Sequence, residues 1–370
     1  MDLEVSPLSK QIRFTLAVLI LTLTTVGLVA QDQPTIMKDW VTFDAFTVNH
    51  QKGNYDVWTW LPRTEFRVNG PIASGSQLYV EVGYPGAAKW VTYDCDTGET
   101  QKGYWWKTRC GGRDNIDEAK GVTYTGPVTF TIKMRNELQG SDMTLFTGKA
   151  KVAKVHSGEA GPKYVNRMVY YVDQDAFLPI GYVWMTPDDI HGWKRTTPNV
   201  AFWVRGEAYK TQPHMFYQGK EIGRQMLDGV EVGAARCNTE IELNPSISTK
   251  PDFPQGAKWR RVVCRFFNIM GRDESGQSYG SFQPPHLMGQ NPGEYEFKLL
   301  WNNKLARSIK FTVKPGGSFD NGIATSNKLG DDRVIFPVTI IGEQDGLWDK
   351  NAWKTDAFYG NPLTGFTVGP

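Results

Sequence analysis

The chain has 370 residues, of which 40% are hydrophobic and 13% are aromatic, and its formal net charge is +2. A chain of this length and composition can bury the cores of two or three domains, which excludes an intrinsically disordered protein. A net charge so close to zero gives no electrostatic basis for binding nucleic acid or an anionic membrane surface, so neither is expected as a partner.

The first thirty residues are typical of a secretory signal peptide. Lys10 and Arg13 precede the uncharged run FTLAVLILTLTTVGLVA (14–30), and a polar segment follows Ala30. A retained membrane anchor is the alternative, because such a run reaches the short end of what spans a bilayer. No basic stop-transfer cluster follows the run, which favours cleavage after Ala30. We therefore expect an exported protein, periplasmic, cell-surface or secreted, with no further membrane span.

Alternating apolar and polar residues dominate the rest of the chain and predict β-strands. Val, Tyr, Phe, Ile and Thr fill these runs, and turn-forming residues separate them at spacings of about eight to twelve residues. No window of about a dozen residues combines helical periodicity with capping residues. The pattern predicts an all-β chain of antiparallel sandwiches. The clearest runs are QLYVEVGY (77–84), VTFTIKM (128–134), RMVYYV (167–172), EIEL (240–243), EYEFKLLW (294–301), SIKFTV (308–313) and RVIFPVTII (333–341).

One motif occurs twice in the chain. Residues 84–95 read YPGAAKWVTYDC and residues 253–264 read FPQGAKWRRVVC, and the two align without a gap. Trp90 and Trp259 each stand five positions before a cysteine. We interpret the copies as equivalent core strands of two duplicated domains, with both tryptophans packed inward near a disulfide.

The hairpin that follows each copy extends the repeat. The second, NPGEYEFKLLWNNKL (291–305) and SIKFTV (308–313), resembles the closing hairpin of bacterial immunoglobulin-like domains in its Pro-Gly-x-Tyr entry and Lys-Phe-Thr-Val strand. The first copy is followed by TGPVTFTIKMRNEL (125–138) and MTLFTGKAKV (143–152). The resemblance covers these hairpins alone and indicates a fold, not a particular family.

The resemblance and the repeat together imply two tandem immunoglobulin-like sandwiches, with the boundaries drawn as follows. The expected segments are an N-terminal leader (31–55), a first sandwich (56–156), a connecting β-rich segment (157–199), a second sandwich (200–314), and a Gly-rich linker with a C-terminal β-rich appendage (315–370).

The four cysteines predict two disulfides, because an even number in an exported chain is typical of bridged thiols. Three pairings are open, and the repeat favours Cys95 with Cys110 and Cys237 with Cys264, since each domain then closes its own bridge. No Cys-x-x-Cys or His-x3-His spacing occurs, which disfavours a zinc site.

Signals for catalysis and cofactors are sparse. Residues 276–280, GQSYG, match the nucleophile elbow of α/β-hydrolases, but the match lies in a loop of an all-β region, and no acid separates Ser278 from the last histidine, His286. We therefore expect no enzyme activity and no cofactor. Asp345, Asp349 and Asn351 are a candidate calcium loop, although they lack the spacing and distal Glu of an EF-hand, and a solvated turn is preferred.

Tryptophan placement gives the candidate binding residues. Adjacent strand residues point to opposite faces, so one ring of the Trp105–Trp106 pair is expected to face outward. Exposed rings on a sandwich serve sugar binding and protein docking, whereas rings that fill interdomain seams are the alternative. The further candidates for exposed rings are Trp58, Trp60, Trp193, Trp348 and Trp353.

These observations favour a non-catalytic binding or scaffold protein of the bacterial envelope or extracellular space, with an envelope protein or a polysaccharide as partner. One alternative is carbohydrate binding through exposed Trp and Tyr. Another is a glycan hydrolase that uses an Asp/Glu pair.

Overall fold

The computed structural model describes residues 33–52, 55–101, 105–112, 115–138, 140–159, 161, 165–173, 180–190, 193–205, 211–224, 235–245, 258–266, 286–320, 333–341 and 352–363. The predicted signal peptide and its cleavage point lie outside these residues, as does the sequence GQSYG at 276–280. Among the described ranges, no helix has both the length and the apolar character needed to cross a bilayer.

Nine strands from the first half of the chain form one antiparallel sheet, here called sheet 1. Its order is β1-β3-β6-β5-β4-β7-β8-β9, and β2 pairs with β3. The bounds are β1 (Thr35–Ile36), β2 (Thr42–Lys52), β3 (Tyr55–Asn69), β4 (Ser76–Tyr84), β5 (Ala87–Gln101), β6 (Trp105–Gly111), β7 (Gly126–Asn136), β8 (Ser141–His156) and β9 (Met168–Val172). Short 3-10 turns occupy Lys38–Trp40 and Glu118–Lys120.

The second half of the chain forms two further antiparallel sheets. Sheet 2 has the order β14-β15-β11-β10-β19, and sheet 3 has the order β13-β12-β16-β17-β18, with β20 also on β17. Two helical segments, α1 (Ala352–Thr355) and α2 (Ala357–Gly360), end the described chain. The strands are β10 (Ile180–Ile190), β11 (Trp193–Arg205), β12 (Thr211–Tyr217), β13 (Lys220–Arg224), β14 (Ala235–Glu242), β15 (Trp259–Phe266), β16 (Gly293–Trp301), β17 (Lys304–Val313), β18 (Phe319–Asp320), β19 (Val334–Pro337) and β20 (Thr339–Ile340).

Sheet 1 curls over on itself around one core. Strand β5 pairs with β4 as far as Asp94 and with β6 from Cys95 onward, so it serves two halves of the sheet. Phe43 on β2 stacks on Phe130 of β7, with ring centroids 4.6 Å apart, although these strands are distant in the sheet order. The two ends of the sheet therefore face each other across a shared apolar interior.

Sheet 2 is buried on both faces. Val200, Phe202 and Val204 of β11 pack with the apolar side chains of sheet 3, whereas Ala201 and Trp203 join the core of sheet 1. This follows from the two-residue period of a strand, and strands covered on both sides read as nearly continuous apolar runs. The run NVAFWV (199–204) has this character, so the sheets stack in the order 1, 2, 3.

The predicted all-β, antiparallel character is confirmed. Strand pairing runs across the segment boundaries drawn from the sequence. The leader (31–55) supplies β1 and β2, the connecting segment (157–199) gives β9 to sheet 1 and β10 to sheet 2, and the appendage (315–370) supplies β18, β19 and β20.

Both predicted disulfides are confirmed. Cys95 bonds Cys110 between β5 and β6, and Cys237 bonds Cys264 between β14 and β15. Each pair stands directly opposite on neighbouring antiparallel strands, with Cα atoms 4.2 Å and 4.0 Å apart. Each bridge therefore lies within one sheet, unlike the bridge between the two sheets of an antibody domain.

Candidate functional site at the junction of sheets 1 and 2

A buried ionic cluster joins the N-terminal turn to sheet 2. Arg261 on β15 is fully buried and donates hydrogen bonds to the Asp39 carbonyl oxygen at 2.8 Å and to Asp39 Oδ2 at 3.2 Å. Its Nε donates to Glu240 Oε2 on β14 at 2.8 Å. Because β15 alternates faces, Arg261 lies on the side of the strand that also buries Trp259. The cluster therefore lies in the layer between sheets 1 and 2.

Glu240 also forms an ion pair with a second arginine, Arg333. Arg333 forms two parallel hydrogen bonds with its carboxylate, at 2.6 Å and 3.0 Å. Burial alone would raise the pKa of Glu240, but the guanidinium groups of Arg261 and Arg333 overcome burial and lower the pKa to about 2. Two arginines hold this buried carboxylate. Removing any one of the three side chains would leave an uncompensated buried charge, which is strongly destabilising.

Aromatic rings enclose the two guanidinium groups. The Arg261 Cζ lies 4.0 Å from the centroid of the Trp40 ring, and the Arg333 Cζ lies 4.7 Å from the same ring. Arg333 also lies 4.1 Å from the Trp184 ring centroid. Beneath Arg261, burial raises the pKa of the Tyr182 hydroxyl above its usual range. Cation–π contacts of this kind are stronger when they are desolvated. The rings therefore stabilise the two buried guanidinium groups in addition to the ion pairs.

A second contact joins the loop after β14 to sheet 1. The Asn244 amide pairs with both backbone groups of Val172 on β9, accepting at 2.8 Å and donating at 3.0 Å. The Asn244 backbone N–H donates to Asp44 Oδ1 on β2 at 3.2 Å. Asn244 has a φ of 56°, a left-handed conformation that asparagine tolerates better than most residues. Its side chain thus behaves as one extra strand residue at the edge of β9.

Asp44 carries the charge of this second contact. It accepts a hydrogen bond from Arg63 at 2.8 Å on the neighbouring strand β3. Burial nevertheless raises the pKa of Asp44, outweighing the lowering effects of Arg63 and of the Asn244 N–H. The nearby charge of Glu65 on β3 also raises the pKa of Asp44, whereas burial and the Asp44 charge raise the pKa of the Tyr359 hydroxyl on α2.

A cleft of about 310 Å³ opens between the two contacts. Its wall carries four acidic and three basic side chains, and partners on neighbouring strands pair with two of the acids: Arg109 contacts Glu65 at 2.8 Å and Arg260 contacts Glu242 at 2.9 Å. The lining therefore offers groups of both signs for ion pairing. The charged lining residues are Asp44, Arg63, Glu65, Arg67, Lys107, Glu240 and Glu242.

The expectation of an exposed ring at Trp60 is wrong. Trp60 has 0% exposure because it lies on the inner side of β3, a strand paired on both edges. Its Nε1 donates to the Tyr124 carbonyl oxygen at 2.8 Å. Trp58, two residues earlier, is half-buried beneath the Arg167 guanidinium, whose Cζ lies 4.6 Å from the ring centroid. Trp106 is partly buried against the sheet 1 core.

Other predicted site residues are only partly described. Trp105 pairs with Asn69 through the backbone of β6, Trp193 begins β11, and Trp353 lies in α1, but their side chains lie outside the description. Trp348 and the calcium candidates Asp345, Asp349 and Asn351 also lie outside the described residues. Exposure of these rings and calcium binding both stay predictions.

Trp90 was expected in the core, and its contacts with other aromatic rings were not predicted from the sequence. Trp259 is fully buried as expected, whereas Trp90 is half-buried and meets the Trp60 ring edge-on at 5.0 Å. Tyr84 and Tyr124 stack at 4.4 Å and 18°, and Tyr84 lies 5.8 Å from Trp90. These three half-buried rings, here called the aromatic patch, lie beside the exposed Pro85–Gly86 turn.

The junction residues were also missed, although one signal was available. Alternate residues of a strand share a face, so Arg261 lies on the same face as the repeated Trp259. The sequence therefore indicated a charged residue at an inward position. The partners Asp39, Glu240 and Arg333 come from three distant parts of the chain, and local patterns carry no information about such pairings.

No family model, curated protein or solved structure matches this chain. Within the part of the chain that the structure describes, no group of three or more His, Cys, Asp or Glu side chains is placed to hold a metal ion.

Proposed function

We propose that this chain is an exported, non-catalytic binding or scaffold protein of the bacterial envelope or extracellular space, in which two tandem immunoglobulin-like sandwiches form one rigid body. The observation that carries the proposal is the buried ion pair between Arg261 of sheet 2 and Asp39 of the N-terminal turn, with the Trp40 ring against the same guanidinium. Glu240 and Arg333 hold Arg261 in place from the sheet 2 side, and the buried pair restrains movement of sheet 1 and its N-terminal turn against sheet 2. Rigid presentation lowers the entropic cost of binding, which suits a scaffold.

The layer arrangement supports the tandem-sandwich part of the proposal. Sheets 2 and 3 share one apolar core, in which Phe202 and Phe297 approach within 5.4 Å between ring centroids. Sheet 1 encloses its own core by folding over, so each half of the chain has the two-layered character of a sandwich. Two disulfides fit folding in an oxidising compartment outside the cytoplasm.

The outer surface of sheet 1 supports a protein or polysaccharide partner. Charges on several of its strands are paired: Glu81 with Lys89 at 2.6 Å and with Lys133 at 3.0 Å, and Asp94 with Arg135 at 2.8 Å. At these pairs the surface presents both signs together. It therefore suits hydrogen-bonding recognition better than counterion-driven nucleic-acid binding.

To test this proposal, binding of the purified mature protein to envelope polysaccharides and other glycans is measured on an array. The same glycans are then assayed for reducing ends released by hydrolysis. We expect saturable binding without release. Release of reducing ends from any bound glycan would identify a hydrolase and overturn the non-catalytic proposal. A binding signal equal to that of an unrelated disulfide-bonded sandwich protein would likewise count against a specific partner.

Carbohydrate binding is the second candidate function, favoured by the aromatic patch of Tyr84, Trp90 and Tyr124. The flat, half-exposed rings of the patch offer a stacking surface for a sugar ring. Trp90→Ala should weaken glycan binding roughly tenfold, equivalent to about 1.4 kcal/mol, if a sugar ring stacks there. Trp301→Ala, at a half-buried tryptophan on β16 that is no candidate for binding, is the matched control, and equal losses in both variants would count against the patch.

A further inference from the structure

Three cross-strand pairs lie on the sheet 1 side of the cleft, each with at least one member in its lining. In the first pair, Asp44 on β2 stands opposite Arg63 on β3 and accepts a hydrogen bond from it at 2.8 Å. In the second, Glu65 on β3 stands opposite Arg109 on β6, and the two form an ion pair at 2.8 Å. Both pairs oppose an acid and a base, an arrangement that stabilises neighbouring strands.

The third pair breaks this pattern. Arg67 on β3 and Lys107 on β6 stand directly opposite each other, and both line the cleft. Like charges in opposed positions of neighbouring strands are destabilising. Lys107 is exposed, and within the described part of the chain no carboxylate contacts its ammonium group. Two cations therefore share this end of the cleft at a cost to the stability of the fold.

The carboxylates on the β14 side of the cleft contact other arginines. Glu242 contacts Arg260 at 2.9 Å, and Glu240 bonds with Arg261 and Arg333 as described above. Basic side chains therefore outnumber acidic ones at the cleft once the ion-pair partners of its lining are included. The basic set is Arg63, Arg67, Lys107, Arg109, Arg260, Arg261 and Arg333, and the acidic set is Asp44, Glu65, Glu240, Glu242 and Asp39, the further partner of Arg261.

We infer that this cleft binds a uronic-acid unit of an acidic polysaccharide, with the sugar carboxylate between Arg67 and Lys107. The inference rests on the proposed binding function and names its ligand class and its site. A carboxylate at this position offsets the repulsion between the two cations and accepts charge-assisted hydrogen bonds from both. The hydroxyl groups of the same sugar donate hydrogen bonds to carboxylate oxygens of the lining, such as those of Glu242. The mixed charge of the lining thus matches a ligand that combines one anion with several hydroxyl groups.

An acidic peptide fits the same lining less well. It brings several neighbouring carboxylates, and four acidic side chains already line the cleft. Like charges in one site repel each other, whereas a uronic acid carries a single carboxylate on each ring. The volume of about 310 Å³ lies near the lower end of the range for small-ligand sites, so it suits a sugar unit better than a folded partner. These observations favour a glycan as the ligand.

Isothermal titration calorimetry with defined oligosaccharides tests this inference. Tetragalacturonate and tetramannuronate are titrated into the purified protein, and the controls are their neutral, carboxyl-reduced counterparts and an end-blocked tetraglutamate peptide. We expect at least one uronate to bind and its neutral counterpart not to bind, since the carboxylate supplies the contact with Lys107. Absence of binding by both uronates would overturn the inference, and so would equally tight binding of the neutral counterpart or of the peptide. Glycan binding on the array tests the proposed function separately, because it does not depend on this cleft.

Two lysine variants test whether the uronate binds in the cleft. Lys107→Gln should weaken uronate binding roughly tenfold or more, because one charge-assisted hydrogen bond is lost. Lys149→Gln is the matched control, since Lys149 is an exposed lysine on β8 outside the cleft lining and its loss changes the net charge equally. Lys107→Gln should also leave the urea midpoint of unfolding unchanged or raised, because it removes the like-charge pair. Equal uronate affinities of the two variants, or a lower urea midpoint for Lys107→Gln, would overturn the inference.

Discussion

At the scale of single residues, Glu240 is the centre of the junction. Glu240→Gln removes the charge that Arg261 and Arg333 share and leaves two guanidinium groups in a buried layer. Breaking a buried ion pair from one side is strongly destabilising, so we expect a loss of about 3 kcal/mol in the free energy of unfolding by urea denaturation. Glu81→Gln, at a surface pair, is the control and should cost below about 1 kcal/mol. Equal losses in both variants would contradict the importance of the junction.

The pH dependence of this loss follows from the lowered pKa of Glu240. A carboxylate whose pKa falls on folding stabilises the folded protein above its ordinary pKa and loses this effect as it is protonated. The difference in unfolding free energy between the wild type and Glu240→Gln should be constant near neutral pH. It should shrink as the pH falls from about 4.5 towards about 2. A difference that grows over this range would contradict the assigned charge state.

Asp44 should behave in the opposite way. Its pKa is raised by burial, so its charged form weakens the folded state, and its contribution to stability increases as the pH falls. Asp44→Asn removes the charge but keeps a carbonyl oxygen for the Asn244 N–H. We expect a change within about 1 kcal/mol at pH 7, and a smaller difference from wild type at mildly acidic pH. A loss as large as that of Glu240→Gln would show that Asp44 acts mainly through its ion pair with Arg63.

Residue-level prediction from sequence succeeded where chemistry is local. The cysteines paired within their own copies because strand neighbours in a hairpin-rich fold are close in sequence. Trp60 was misjudged because its burial depends on β2 along one edge of β3 and on the bridge to Val122 along the other, and no local pattern encodes these pairings. Arg261 was overlooked for the same reason: its partners Asp39 and Arg333 are brought to it only by the stacking of sheets.

At the scale of elements, each disulfide holds one pair of neighbouring strands. The bridges close loops of 15 and 27 residues, which the chain-entropy account values at about 3 and about 3.5 kcal/mol. Replacing Cys95 and Cys110 by serine should lower the unfolding free energy by about 3 kcal/mol, and the Cys237 and Cys264 pair slightly more. Urea denaturation measures both. A loss below about 1 kcal/mol for either pair would indicate that the strands hold register without the bridge.

Strand positions were largely predictable, whereas sheet membership was not. The runs at 77–84, 128–134 and 294–301 coincide with β4, β7 and β16, because alternation reports directly which face of a strand is buried. The segment 333–341 supplies β19 to sheet 2 and β20 to sheet 3, a division that depends on partners far away in the chain. The segments α1 and α2 were not predicted, since each has only four residues and α2 includes two left-handed residues.

At the scale of the whole molecule, we propose one rigid body in which the two halves of the chain do not move independently. Three contacts support this: the Arg261–Asp39 ion pair, the Asn244 contact with β2 and β9, and the contact of Tyr359 in α2 with β2. Composition predicted cores to bury, alternation along the chain predicted β-strands, and the N-terminal apolar run predicted export. They carried no information about stacking, because the burial of sheet 2 on both faces arises only when all three sheets are assembled.

The most direct test measures the distance between sheet 1 and sheet 3 in solution. Spin labels attached at Thr129→Cys on β7 and Lys310→Cys on β17, both exposed positions, report this distance by pulsed electron paramagnetic resonance. We predict a single narrow distance distribution for the protein that carries only the two labelled cysteines. The distribution should broaden when Glu240→Gln is added. A broad or two-peaked distribution without Glu240→Gln would contradict the rigid junction on which the scaffold proposal rests.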